Sequence, residues 1–163
     1  MKNIKLGPKV RFKKAKLPLK KKLMGKYTIL EPLNVAKHSK ELYFQYSKDK
    51  KNIIWTYLPY GPFQTYSKFK YWLKTSCLNS DPFFYAIYSK RHNQYCGMAS
   101  YLRIEPDHGS IEVGHINYSP LLQNLHYISK NHHLILNELL LCYHQLYLCS
   151  FHFFLYKNNH FLN

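Results

Sequence analysis

The sequence predicts an α+β fold whose elements run β-α-α-β-β-β-α around a central sheet, and three observations carry that prediction. Residues 97–118 hold two runs of alternating polarity on either side of Glu105-Pro106-Asp107-His108-Gly109, the pattern of a β-hairpin. Residues 64–73 place Tyr66, Phe69, Tyr71 and Trp72 among lysines at helical spacing. Residues 83–89, Phe-Phe-Tyr-Ala-Ile-Tyr-Ser, are apolar nearly throughout, as a strand covered on both faces must be. At 163 residues, 46% hydrophobic and 17% aromatic, the chain has material for one folded domain rather than a disordered segment.

The first stretch, residues 1–25, reads as a basic extended arm. Eleven of the 24 Lys and Arg residues fall between Lys2 and Lys26, ahead of the first acidic residue, Glu31, and they supply most of a formal net charge of +16. Pro8 and Pro18 argue against a helix there. Such an arm could contact RNA or the ribosome by releasing counterions, or it could be a solvated extension without a partner. Residues 26–33, Lys-Tyr-Thr-Ile-Leu-Glu-Pro-Leu, read as the first strand. Asn34 suits the N-cap of a helix through Ala36, His38, Leu42 and Phe44 that ends near the lysines at 48–51. In the loop that follows, Pro59, Gly61 and Pro62 forbid long regular structure. The aromatic helix comes next, and its rings are read as core. Asp81-Pro82 then opens the apolar strand.

In the first arm of the hairpin Met98, Ser100, Leu102 and Ile104 share one face, while Ala99, Tyr101 and Arg103 share the other. Proline presets φ early in the turn, and Gly109 can take the left-handed conformation that returns the chain. The second arm, residues 111–118, resumes the alternation, which places His115 on the face opposite Glu112. Ser119-Pro120 ends it.

Cysteine spacing excludes some classes. Cys77, Cys96, Cys142 and Cys149 match neither a disulfide framework nor a paired zinc motif, and the chain begins with no secretory signal pattern. The expectation is a reducing, cytoplasmic setting with no metal. Within residues 124–163, His132, His133, Cys142, His144, Cys149 and His152 could supply metal ligands, but Cys142 and His144 sit too close for the usual pairing. Residues 134–156 are apolar, yet Asn137, Glu138, His144, Gln145 and His152 interrupt any membrane span. A helix over residues 134–148 is the expected structure.

The order of elements and four separated blocks of residues resemble the GCN5-related N-acetyltransferases, and within them the branch that acetylates the N termini of ribosomal proteins. The blocks are Gly25-Lys26-Tyr27 with Leu30-Glu31-Pro32-Leu33; residues 55–63, Trp-Thr-Tyr-Leu-Pro-Tyr-Gly-Pro-Phe; Asp81-Pro82 with Phe84-Tyr85-Ala86-Ile87; and residues 97–104 with 111–120, the last reading Ile-Glu-Val-Gly-His-Ile-Asn-Tyr-Ser-Pro. The likeness runs over about residues 9–123. It implies residues 26–123 as the N-terminal part of such an enzyme, an incomplete fold of the family with a mixed central sheet lacking its C-terminal strands. It also implies transfer of an acetyl group from acetyl-CoA to a primary amine. By the same resemblance the peptide groups of His115, Ile116 and Asn117 contact acetyl-CoA, Glu112 is the base, acting through water, and Tyr57 and Tyr60 line the acceptor pocket. The residues alone leave alternatives: Glu112 could simply answer Arg103 across the hairpin, and the two tyrosines could close the loop over the core.

After Gln123 the pattern departs. The family continues with small residues whose exposed amides cradle a pyrophosphate ahead of a helix. This chain reads Asn124-Leu125-His126-Tyr127-Ile128-Ser129-Lys130 instead. Residues 124–163 contain no Gly, Ala, Val, Thr, Pro, Asp, Arg or Met, but hold six of the ten histidines and ten leucines. So abrupt a shift suggests a frameshifted or truncated remnant, unable to hold the cofactor.

Overall fold

A computed structural model describes residues 14–123. Five strands form a single sheet in the order of the chain: β1 (Leu23–Met24), β2 (Thr28–Pro32), β3 (Phe83–Ser89), β4 (Gln94–Glu105) and β5 (Ser110–Tyr118). Every pairing is antiparallel. A mixed sheet needs a parallel pair as well, and none lies among the described residues. Helices α1 (Val35–Tyr46) and α2 (Tyr66–Ser76) come between β2 and β3, and α3 (Pro120–Gln123) follows β5 at once. The helix expected over residues 134–148, the histidines and cysteines of the tail and the apolar run at 134–156 lie outside the described residues. Among those described, no helix is long and apolar enough to cross a membrane, and no group of His, Cys, Asp and Glu could hold a metal.

Local rules account for most of these elements. Asn34 is extended and its Oδ1 accepts from Lys37 N at 3.0 Å, starting α1 as an N-cap should. Thr65 does the same for α2 through Lys68 N at 3.3 Å. The loop between them contains only a short 3-10 turn, Ile53–Trp55. Trp55 is buried there, and its indole lies against Gly61, where a β-carbon would stand 2.5 Å from Trp55 Cε3. Gly61 also has φ of +76°, so only glycine fits both demands. The hairpin turn closes as its residues suggest: Gly109 has φ of +61°, and His108 N donates to Glu105 O.

The sheet has two apolar faces. One, built on Phe84, Ala86 and Met98, receives α1, the 3-10 turn and α2 through Leu42, Tyr46, Trp55, Phe69 and Leu73. This face is dense with edge-on and tilted rings, including Tyr46 on Trp55 at 5.2 Å and Phe63 on Trp72 at 5.0 Å. The aromatic side of α2 is therefore core at Phe69 and half-buried at Trp72, while Tyr71 is exposed. The other face gathers Leu30, Tyr85, Ile87, Cys96, Ala99 and Tyr101, with Leu122 of α3.

The arm begins to fold earlier than its lysines suggest. Ala15 N donates to Pro106 O at 2.9 Å and Lys14 pairs with Asp107 at 2.9 Å, both at the hairpin turn. Leu23–Met24 then joins β2 as a short edge strand, so the sheet starts before residue 26.

Glu31 ties this edge to α1. Lys22 Nζ reaches Glu31 Oε1 at 2.7 Å, Tyr95 donates to Oε2 at 2.8 Å, and Lys37 bonds the same oxygen. His38 is buried, with Nδ1 accepting from Asn34 N at 3.1 Å, which leaves the proton on Nε2, 3.4 Å from Glu31. Burial pushes the Glu31 carboxyl up, but the bonds from Lys22, Lys37 and Tyr95 outweigh it and bring the group to about 2. The unfolded chain therefore takes up this proton first as pH falls. The stabilisation is complete above the ordinary value of 4.5 and is lost between there and about 2. Glu31→Gln is expected to cost about 1–2 kcal/mol at pH 7, the exposed lysine partners tempering the effect. Denaturant titrations from pH 6 to pH 3 should show that penalty shrinking toward zero.

Candidate active site on the β4–β5 hairpin

Strand pairing along the hairpin is interrupted twice, and the interruptions place the site residues. Leu102 faces Glu112 and Glu105 faces Ser110, so Arg103 and Ile104 together oppose Ile111. Higher up, Met98 faces Asn117 and Ser100 faces Gly114, so His115 and Ile116 together oppose Ala99. Each is a one-residue bulge, the first in β4 and the second in β5. Arg103 and His115 carry the turn, with φ of +48° and +49°, values that a side chain other than glycine rarely adopts.

The lower bulge is held by Asp81. Its Oδ1 accepts from Arg103 N at 3.0 Å and its Oδ2 from Ile104 N at 2.9 Å, so the carboxylate receives the amides of both residues in the bulge. Beyond it the faces differ from simple alternation: Ile104 packs with Ala99 and Tyr101 on the face away from α1 and α2, not with Met98. Arg103 turns its side chain to Glu112, Nε to Oε2 at 2.6 Å.

The upper bulge changes what His115 meets. Glu112 and Gly114 lie on the helix face, since Gly114 faces Ser100, which in turn faces Phe84, and a β-carbon on Gly114 would stand 3.5 Å from Glu112 Oε1. Strict alternation would put His115 on the opposite face. The extra residue brings its ring back beside Phe84 at 5.3 Å and Tyr60 at 5.5 Å, both parts of the helix-side core. Glu112 and His115 thus share a face, contrary to the alternation read from the sequence. The Tyr60 hydroxyl is 3.2 Å from His115 Nδ1. Burial lowers the imidazole from its ordinary value, Glu112 opposing and Arg103 assisting, so it is neutral at pH 7. Burial also raises the Tyr60 phenol, which stays protonated.

The remaining candidates divide. Tyr60 is packed between Trp72, at 4.3 Å, and His115, whereas Tyr57 is 87% exposed and stands in solvent. His115 and Ile116 are the two residues the bulge takes out of the ladder. Asn117 stays in it: Ser119 N donates to Cys96 O, so the alternation of the ladder also turns the Asn117 peptide toward β4, and its carbonyl accepts from the buried Tyr46 hydroxyl at 3.3 Å. Asn117 is 4% exposed, and neither polar atom of its carboxamide has a hydrogen-bond partner among the described residues. Glu112 is paired with Arg103, the alternative that the hairpin pattern already held open. Cys77 and Cys96 are buried, and burial pushes both thiols up, Cys96 to about 12, so neither is a thiolate nucleophile at neutral pH.

No protein-family profile and no curated sequence matches the chain, and the comparison that decides is structural. A GCN5-related N-acetyltransferase from Brucella melitensis superposes with a TM-score of 0.73 at 29% identity, over 83% of this chain. The chain has the fold of the GCN5-related N-acetyltransferases. A protein described as an acetyltransferase of the same family from Chromobacterium violaceum gives 0.72 at 26% identity, over 88% of this chain. A Vibrio cholerae structure provisionally described as a ribosomal-protein-serine acetyltransferase shares the fold at 12% identity, with a TM-score of 0.58. The chain spans 60% of the Brucella protein and 72% of the Chromobacterium protein. Within this acetyltransferase fold the two bulges are the features that sequence periodicity could not supply. The one signal for them was a charged Arg103 and a histidine interrupting otherwise regular strands.

Asp81 is the residue on which the lower bulge rests. Asp81→Ala, which strands two amides at once, is expected to destabilise the protein by about 1–3 kcal/mol, measured as a lower thermal midpoint. Asp81→Asn, keeping one acceptor, should lose about half as much.

Proposed function

We propose that this chain is an N-acetyltransferase that moves an acetyl group from acetyl-CoA to a primary amine in the cytoplasm. The observation that carries the reading is the bulge of β5, which takes His115 and Ile116 out of the ladder on a strand with no second strand partner among the described residues. Peptide groups released in this way can pair with an extended amide-bearing ligand as a further strand would. The buried, unpartnered carboxamide of Asn117 beside them is a second group that a polar ligand could satisfy.

When bound, acetyl-CoA supplies an acyl group activated as a thioester. The protein's part is to hold it along β5, to direct a backbone N–H of the bulge at the carbonyl oxygen, and to take a proton from the amine. Two groups on the helix face of the hairpin can take that proton: the carboxylate of Glu112, through water, and the imidazole of His115. Tyr60, packed on Trp72, bounds the acceptor side. No nucleophilic side chain is required, which agrees with the burial of both described thiols.

The composition of residues 124–130, without a glycine or alanine to admit a phosphate, favours a second reading: an acetyltransferase fold that has lost its cofactor. One measurement separates the two. Isothermal titration with acetyl-CoA is expected to give a Kd of roughly 1–100 μM if the enzyme reading holds. No heat at millimolar acetyl-CoA overturns it and leaves the remnant.

A further inference from the structure

The acetyl-transfer reading, on which this inference rests, leaves open which group meets the amine. We propose that Nε2 of His115 is the proton acceptor for the substrate amine, and that the Tyr60 hydroxyl holds the imidazole in the form that can accept it. The geometry allows one useful arrangement. Tyr60 lies against Nδ1, at 3.2 Å, and a hydroxyl can either donate to that nitrogen or accept from it. If it donates, the ring proton sits on Nε2 and the imidazole has no lone pair to offer. If it accepts from Nδ1–H, Nε2 is bare. The stack of Tyr60 on Trp72 fixes the hydroxyl, and the left-handed turn at His115, with Phe84 beneath the ring, fixes the imidazole.

The proton step is then simple. One proton passes from the substrate ammonium to Nε2, the imidazole becomes imidazolium, and a neutral amine is left with its lone pair free. Among the described residues, three ionisable side chains face the ring: Tyr60 from the loop, Glu112 from β5 and Arg103 from β4. Glu112 stabilises the imidazolium once it forms, while Arg103 and burial keep the resting ring neutral. Glu112 itself is the weaker candidate for first acceptor, because its Oε2 is already bonded to Arg103 Nε. Tyr60 acts through the histidine and is a positioning residue.

Long-range nitrogen–proton NMR of the full chain at pH 7.5 reads the tautomer directly, with the His115 signals identified by their absence in His115→Gln. The expected result is a proton on Nδ1 and a bare Nε2, with reversal to the Nε2–H form in Tyr60→Phe, a change that lost packing alone does not produce. A wild-type ring protonated on Nε2 overturns the proposal, whether or not the tyrosine variant folds. Acetyl-CoA titrated into the same sample keeps the two readings apart. Binding together with an Nε2–H ring sinks only the role of His115. A bare Nε2 with no acetyl-CoA binding sinks the acetyl-transfer reading and, with it, the catalytic use of the histidine.

Discussion

The extra residue in β5 at His115 is the constraint on which the candidate site depends. A side chain other than glycine in the left-handed region costs about 1–2 kcal/mol, and a strand tolerates it only where the surroundings recover that cost. Here the recovery is visible: the imidazole lies between Phe84 and Tyr60, in ring contacts that a regular strand would forfeit by sending the side chain to the other face. The bulge therefore converts two residues three apart, Glu112 and His115, into neighbours on one surface. It also frees the peptide groups of the same stretch from the ladder. Side-chain chemistry and backbone recognition arise from a single local insertion.

That insertion is kept in register by what lies on either side of it. Below, Asp81 receives the two amides of the β4 bulge and so fixes where Arg103 and Glu112 meet. Above, Gly97 lets the strands approach closely: a β-carbon there would stand 2.9 Å from the carbonyl oxygen of Asn117 and push them apart. Across the face, the rings of Trp55, Tyr60, Phe63 and Trp72 form a continuous layer that sets the height of the Tyr60 hydroxyl above the sheet. The loop carrying Trp55, Tyr60 and Phe63 is short of regular structure but not of contacts.

Elements whose signals are local were legible in the sequence. The Asn34 cap, the turn at Gly109, the apolar β3 and the aromatic side of α2 each depend on residues within a few positions of one another, and each is found. What required a partner was not legible. A bulge is a mismatch between two strands, so the alternation of β5 read by itself assigned His115 to the wrong face, just as the alternation of β4 misassigned Ile104. The short strand at Leu23–Met24 was hidden for a similar reason: its flanking lysines look solvated until Lys22 finds Glu31 and the chain pairs with Leu30. Family resemblance pointed to the hairpin as the candidate site, but only pairing register shows which of its side chains meet.

The Arg103–Glu112 pair shows why proximity alone does not decide a role. Both side chains are well exposed, and a pair of that kind contributes little to stability. Its consequence is electrostatic: the two charges act on His115 with opposite signs, the carboxylate favouring the imidazolium and the guanidinium disfavouring it. With those influences opposed, burial between Tyr60 and Phe84 sets the direction, and the resting ring is neutral. Loss of Arg103 would leave the carboxylate without an opposing charge, yet burial, the largest influence, would still hold the imidazole below its ordinary value. The acceptor role proposed for His115 needs a ring that begins empty, and burial, with the exposed arginine on the neighbouring bulge assisting, keeps it so.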